Sequence, residues 1–276
     1  MKEKYSIKRR ETPYVVAHRG VCGANVPCNT LAAFETAIRQ GADMIELDVS
    51  KSADGELFIF HPGMERRFIR IEKRLTEMTG KEIKELRLVN MDGERTSYAI
   101  PTLRETLECL KDRVYINVDK FWTDVEGISK EIKRAGVESQ VVVKTYPDEK
   151  AVDAVERYAP DYMFMAMLRK EDKLTKIVKE RNINYIGAEV LFDSDNDPII
   201  SDEYVADMHA QGLLVWGNGI VYDERDVISA GHNDDISVRK DPALGWGWLV
   251  DKKVDFIQTD WTLALKQYLH ARKANP

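Results

Sequence analysis

Glu46 and Asp48 stand two apart in the otherwise apolar run DMIELDV (43–49). On a strand, residues two apart share a face. Both carboxylates therefore point one way, and Ile45, Leu47 and Val49 point the other way, toward covering helices. Two adjacent carboxylates repel unless a cation or a proton sits between them. Oxygen donors of this kind suit Mg²⁺ or Ca²⁺. Asp119, at the end of VYINVD (114–119), is the natural third ligand. Salt bridges to Arg or Lys would answer the same repulsion equally well.

Two histidines fall beside these carboxylates. His18 closes the run YVVAH (14–18) and is followed by Arg19 and Gly20. The second emerges from turn chemistry. In VSKSADGELFIFH, Asp54–Gly55 between two β-like runs signals a hairpin. A turn centred there sets paired positions to sum to about 108 or 109, which places His61 opposite or nearly opposite Asp48. Two histidines near neutral pH can divide the general acid and general base roles. His209 and His270 are read as surface residues, and His232 as part of a lid or without a role.

The elements that must hold these groups alternate along 276 residues. Strands are expected at 14–18, 43–49, 114–119, 140–144, 161–167, 184–190, 212–218 and 254–260. Between them run helical patterns. NTLAAFETAIRQG places Leu31, Phe34 and Ile38 on one face, with Asn29 or Thr30 as N-cap and Gly41 as stop. Thr102 and Glu105 have capping-box spacing, and helices follow at 123–135, 147–158, 170–181, 200–211 and 261–272. Eight strands, each followed by helix, predict a (β/α)₈ TIM barrel in one domain over 1–276. A doubly wound open sheet is the alternative. Polar residues gather at one end of the strands: His18–Arg19, Glu46 and Asp48, Asp119–Lys120, Lys144, Glu189, Trp216 to Asn218, and Gln258 to Asp260. Two stretches exceed a minimal barrel, 62–100 as a small insertion and 219–253 as a long loop after strand seven.

Composition narrows the partners. The net charge is −6 and the pI about 5.6, which argues against nucleic acid as a ligand. The three cysteines, Cys22, Cys28 and Cys109, form no CxxC pair, which argues against a disulfide framework or a thiolate zinc site. The N-terminus has no apolar run of signal-peptide length, and no span for a membrane is expected. The expected location is cytoplasmic.

HRG (18–20), VPCNTLAAFETAIRQGADMIELDVSKSADGELFIFH (26–61), INVDK, LLVWGN and FIQTD together resemble the glycerophosphodiester phosphodiesterase family, over nearly the whole chain. The resemblance implies a TIM barrel of the phospholipase C-like phosphodiesterase type, with an insertion after the second histidine. It implies His18 and His61 as the acid/base pair and Glu46, Asp48 and Asp119 as ligands of one divalent metal, Mg²⁺ or Ca²⁺. It implies Arg19 as the phosphate clamp. The substrate would be a small phosphodiester, hydrolysed to sn-glycerol 3-phosphate and an alcohol. Cys28 replaces the glutamate of the usual PENT-type motif, His61 precedes Pro62 rather than Asp, and Asp119 and Lys120 are adjacent rather than two apart. On a regular strand Lys120 points away from Asp119, turning inward only where the strand has ended. Lys144 is then the candidate for the missing positive charge, so both lysines are candidate phosphate ligands. Glu189, Trp216 and Asn218 are candidate pocket residues. Trp216 and GWGW (245–248) add aromatics near the mouth, for a choline-like or lipid group or for lid packing. A lysophospholipase D-like activity is the nearest rival. A phosphosugar isomerase or aldolase, or a non-catalytic phosphate-binding barrel, is more remote.

Overall fold

The computed structural model describes residues 4–146, 148–223 and 225–274, with the side chain of Glu149 left aside. Pro147, the first residue of the expected 147–158 helix, and Glu224, within 219–253, lie outside the described residues, as do both extreme ends of the expected 1–276 domain.

Apolar side chains on both faces suit strands buried in a parallel sheet, and all but one of the strands pair that way. They are β1 (Tyr14–His18), β2 (Met44–Lys51), β3 (Leu57–Ile59), β4 (Tyr115–Asp119), β5 (Val141–Thr145), β6 (Met163–Arg169), β7 (Tyr185–Leu191), β8 (Leu214–Asn218) and β9 (Phe256–Thr259). β1 pairs in parallel with both β2 and β9, so eight strands close into a barrel and an open sheet is excluded. β3 stands outside the ring as the antiparallel return of a hairpin on β2. Its pairs Val49–Ile59, Ser50–Phe58 and Lys51–Leu57 match the register expected from Asp54–Gly55.

Helices cover the outside: α1 (Leu31–Arg39), then short α2 (Glu65–Phe68) and α3 (Gly80–Lys84), α4 (Leu103–Leu110), α5 (Val125–Ala135), α6 (Glu149–Tyr158), α7 (Thr175–Lys179), α8 (Asp202–Ala210), α9 (Asp234–Arg239), α10 (Trp248–Asp251) and α11 (Thr262–Ala274). Thr102 and Glu105 form the expected capping box on α4. In α1 the cap is Thr30, and the buried face is Ala33, Phe34 and Ala37, with Leu31 left exposed. The reason is the turn after β1. Gly20 packs so tightly on Ala33 that a Cβ there would lie 2.7 Å from the Ala33 carbonyl carbon. The expected 170–181 helix shrinks to α7, started by the Asp172 carboxylate accepting from the amides of Leu174 and Thr175.

The two faces of the barrel wall differ. Outward residues such as Val15, Ile45, Leu47, Val118, Val143 and Ile257 join the helices in the main core. Inward residues at the lower end, Tyr14, Val16, Met44, Met163, Trp216 and Phe256, form an apolar plug. Higher up the same strands the interior turns ionic.

Residues 62–100 with the end of the hairpin build a small core of their own: Phe58, Phe60, Ile69, Leu75, Met78, Ile83, Leu88 and Ile100. The 219–253 segment is not the long loop expected. It carries α9 and α10, and Trp246 and Leu249 enter the main core. Asp234 ties it down, accepting hydrogen bonds from Trp246 Nε1 (2.7 Å), Thr259 Oγ1 (2.7 Å) and the Asp260 amide (2.8 Å).

Gly187 marks where the wall tolerates no side chain. The β6–β7 register shifts between Phe164 and Met165, and a Cβ on Gly187 would sit 2.0 Å from the Leu214 carbonyl oxygen. Backbone cannot yield there as a side chain would. Gly187→Ala is expected to destabilise the fold by at least 1–3 kcal/mol, roughly the cost of overpacking, read as a lowered denaturant midpoint at unchanged slope.

Candidate active site

Strand register assembles the carboxylates. His18 pairs with Glu46 across β1–β2, and Asp48 with Asp119 across β2–β4. Glu46, Asp48 and Asp119 are buried, and one oxygen from each lies within 4.8 Å of the others. Asp48 Oδ1 and Asp119 Oδ1 are buried without a hydrogen-bond partner. Buried acceptors are rarely left so. Two free hard oxygens, from Asp48 and Asp119, with the Glu46 carboxylate beside them, fit a divalent cation of the Mg²⁺ or Ca²⁺ type.

Two side-chain cations lean on the cluster. Arg19 and Gly20 are successive left-handed residues. They turn the chain so that the Arg19 amide donates to Glu46 Oε2 (3.0 Å), while Arg19 Nε lies 2.9 Å from Asp48 Oδ2. Lys120 also adopts the left-handed conformation, because β4 has ended. Its Nζ reaches Asp119 Oδ2 at 2.7 Å and Asp48 Oδ1 at 3.6 Å. Lys120 thus turns inward and supplies the positive charge for which Lys144 was the candidate. Three carboxylates against two cations leave one excess negative charge. Glu46 carries the consequence: burial, then repulsion from Asp48, pushes its carboxyl up to about 7. Burial acts the same way on Asp48, but Arg19, Lys120 and His61 outweigh it and hold that carboxyl below its ordinary value.

Asn29 was expected only as a possible N-cap. Its amide nitrogen donates to Asp48 Oδ2 (2.9 Å), and its carbonyl accepts from the Asp48 amide (3.4 Å). The contact has no local sequence signature, because it spans the turn after β1 and the middle of β2.

The histidines meet the cluster from two sides. His61 Nε2 is 3.9 Å from Asp48 Oδ1, and its Nδ1 is 2.9 Å from the Pro62 carbonyl, which can only accept. That contact places the proton on Nδ1 and leaves the Nε2 lone pair toward Asp48. Burial lowers the His61 pKa, and the Asp48 charge only partly opposes it. His18 Nδ1 is 2.8 Å from Asp260 Oδ1. Burial pulls His18 down too, but the hydrogen bond and charge of Asp260, helped by Glu46, reverse the shift and raise it. Asp260 was noted only as part of a polar strand end; pairing to a residue 242 positions away is invisible before the barrel closes. In an NMR titration, His18 is expected to titrate above the ordinary histidine value and Asp260→Asn to lower it. An unchanged midpoint would show that Asp260 does not hold the proton.

Lys144, Glu189, Trp216 and Asn218 form a separate buried group. Lys144 Nζ lies 2.7 Å from Glu189 Oε2 and 4.3 Å above the Trp216 ring, and Asn218 donates to Glu189 Oε1 at 2.9 Å. Trp216 is fully buried and stacks on Phe256. It belongs to the plug, not the mouth. In GWGW, Trp246 is core and Trp248 stacks on His232, so both serve packing. His209 is not a surface residue either, its Nε2 lying 2.9 Å from the buried Asp255. Among the aromatics at the mouth is Tyr222, edge-on to His18. A cavity of about 420 Å³ opens beside His18, Arg19 and Asp260, with Met64, Phe68, Met91 and Tyr222 on its rim.

A model of the glycerophosphoryl diester phosphodiesterase family matches residues 18–231. A glycerophosphodiester phosphodiesterase of Caldanaerobacter subterraneus subsp. tengcongensis is 34% identical over 140 residues, 48% of this chain and 57% of that one. The chain thus spans little more than half the length of the first curated relatives it matches. The crystal structure of a glycerophosphoryl diester phosphodiesterase from Parabacteroides distasonis superposes with a TM-score of 0.80 at 20% identity, covering 98% of this chain and 90% of that one. An Oleispira antarctica phosphodiesterase in complex with the product sn-glycerol-3-phosphate superposes at 0.69 with 19% identity, covering 94% and 97%. Among the described residues, no helix is long and apolar enough to cross a membrane.

Proposed function

The chain belongs to the glycerophosphoryl diester phosphodiesterase family, and from that premise we propose that it hydrolyses a glycerophosphodiester to sn-glycerol 3-phosphate and an alcohol. The observation that carries the reading is the pair of histidines, His18 beside Glu46 and His61 beside Asp48, flanking three buried carboxylates.

Glu46, Asp48 and Asp119 would hold one divalent cation, Mg²⁺ or Ca²⁺, whose chemistry is to neutralise charge on the phosphoryl oxygens. The rest falls to side chains. Arg19 and Lys120, already gathered at the carboxylates, would exchange part of that contact for phosphoryl oxygens; a guanidinium suits such bidentate contact. His61, neutral with its Nε2 lone pair toward the cluster, would take the proton of the attacking water or of a neighbouring substrate hydroxyl. His18, kept protonated by Asp260, would give a proton to the leaving alkoxide. Lys144, Glu189, Trp216 and Asn218 would act from beneath, as the floor on which the glycerol side rests.

A lysophospholipid substrate is the second reading. It is favoured by the cavity rim, where Met64, Phe68, Met91 and Tyr222 come from the two segments that exceed a minimal barrel. The test is a panel of glycerophosphodiesters and a lysophospholipid, assayed with Mg²⁺, Ca²⁺ or EDTA. Cleavage of the soluble diesters supports the first reading, and cleavage of the lysophospholipid alone the second. Cleavage of neither would sink both. A cytoplasmic location and the absence of a nucleic-acid partner are part of the same proposal.

A further inference from the structure

Cys22 and Cys28 take no part in the chemistry above, yet they sit together where it happens. The chain from Arg19 to Asn29 doubles back on itself. The Asn29 amide donates to the Arg19 carbonyl (2.9 Å), and Gly23 and Val26 exchange two amide hydrogen bonds of 3.0 Å. This tight return lays the Cys22 thiol against the Cys28 thiol. Cys22 is exposed and Cys28 half-buried, and both line the cavity that opens beside His18 and Arg19. The third cysteine, Cys109 on α4, is not part of that lining.

We propose that Cys22 and Cys28 are a modification site: a dithiol that a peroxide closes into a disulfide at the mouth of the cavity and a thiol reductant reopens. The Cys22 thiolate attacks one peroxide oxygen; the O–O bond breaks, and the hydroxide that leaves takes up the proton Cys22 gave up on ionising and becomes water. Cys28 sulfur then attacks Cys22 sulfur, the S–S bond forms, and the S–O bond breaks. The departing hydroxide takes the Cys28 proton and leaves as water. Two electrons pass from the sulfurs to the peroxide, and each peroxide oxygen ends as water. Cys22 suits the attacking role, since its thiol is the more exposed of the two and a peroxide reaches it first.

The site bears on catalysis through the loop it would clamp. Arg19 and Asn29 stand at the two ends of that loop, and both touch Asp48. Closing a disulfide between them fixes the loop in one geometry at the edge of the cavity.

The test uses the whole chain, treated with hydrogen peroxide, then alkylated and mapped by mass spectrometry. The expected result is a crosslinked Cys22–Cys28 peptide lighter by two hydrogen atoms, with Cys109 still alkylated. Dithiothreitol should reverse it. Peptide mapping separates this change from oxygen added to Met64 or Met91. Cys22 carried on to the sulfinic acid with Cys28 still alkylated would overturn the proposal, as would both thiols alkylating no differently from Cys109. The crosslinked protein is expected to show KM raised several-fold, restored on reduction. An unchanged KM would overturn the link to the cavity. The mass readout needs no turnover, so failure of the hydrolytic reading would register separately, as inactivity of the reduced protein.

Discussion

Alanine at His61 is expected to lower kcat by roughly 10²–10⁴, the usual worth of a positioned general acid or base; alanine at His18 is expected to cost about as much. The two variants should differ in pH profile. The wild-type rate rises as pH climbs through the His61 value, which lies below the ordinary histidine range, and falls as pH climbs through the His18 value, which lies above it. His61→Ala should lose the acid limb, and His18→Ala the alkaline limb. The double variant should be little worse than either single one, because residues acting as a unit are not additive. The profiles come from kcat/KM measured across pH on proteins whose folding has been checked by circular dichroism. Either variant keeping wild-type rate and both limbs would remove that histidine from the mechanism.

Chelation is expected to abolish hydrolysis, with Mg²⁺ or Ca²⁺ restoring it. It should also change stability in a pH-dependent way. Without a cation, the proton on Glu46 offsets the excess negative charge, and that carboxyl titrates at about 7. A carboxyl raised in the folded state contributes stability that is full below its ordinary range. That contribution is lost as pH rises through about 7. A cation must displace the same proton, so its affinity increases with pH over that window. The rise in Tm on adding metal should therefore be larger at about pH 8 than at about pH 6, and metal at about 100 times its Kd is worth ~2.7 kcal/mol. Glu46→Gln keeps the shape and removes the titrating group, so its metal response should be weaker and flat with pH. Calorimetry on chelated and metal-loaded protein decides the matter. A Tm indifferent to metal at every pH, together with full activity in EDTA, would refute the metal site.

Local signals carried much of this. Period-two alternation at 45–49 correctly put Glu46 and Asp48 inside and Ile45, Leu47 and Val49 outside, because a barrel wall is a strand with two buried faces. The Asp54–Gly55 turn set the hairpin register that brings His61 to Asp48. What escaped depended on closure or on chain direction at single residues. Lys120 reaches the carboxylates because one left-handed residue follows the last β4 position, and nothing in its neighbours announces that conformation. Lys144 reads from the sequence as a candidate phosphate ligand, and only the fold shows that β7 brings Glu189 to it. Trp216 looked like a mouth aromatic because its strand ends in polar residues, but it sits one inward position lower, among the plug. Asp260 and Asn29 act on groups that no local pattern connects with them.

The pairing of β9 with β1 has a consequence for biosynthesis. A ribosome exposes both histidines and all three carboxylates well before the last strand. Until β9 zips onto β1, the ring stays open and Asp260 is nowhere near His18. A nascent or truncated chain therefore holds its reactive parts uncoupled. The final seam that closes the barrel is also the one that brings Asp260 to His18.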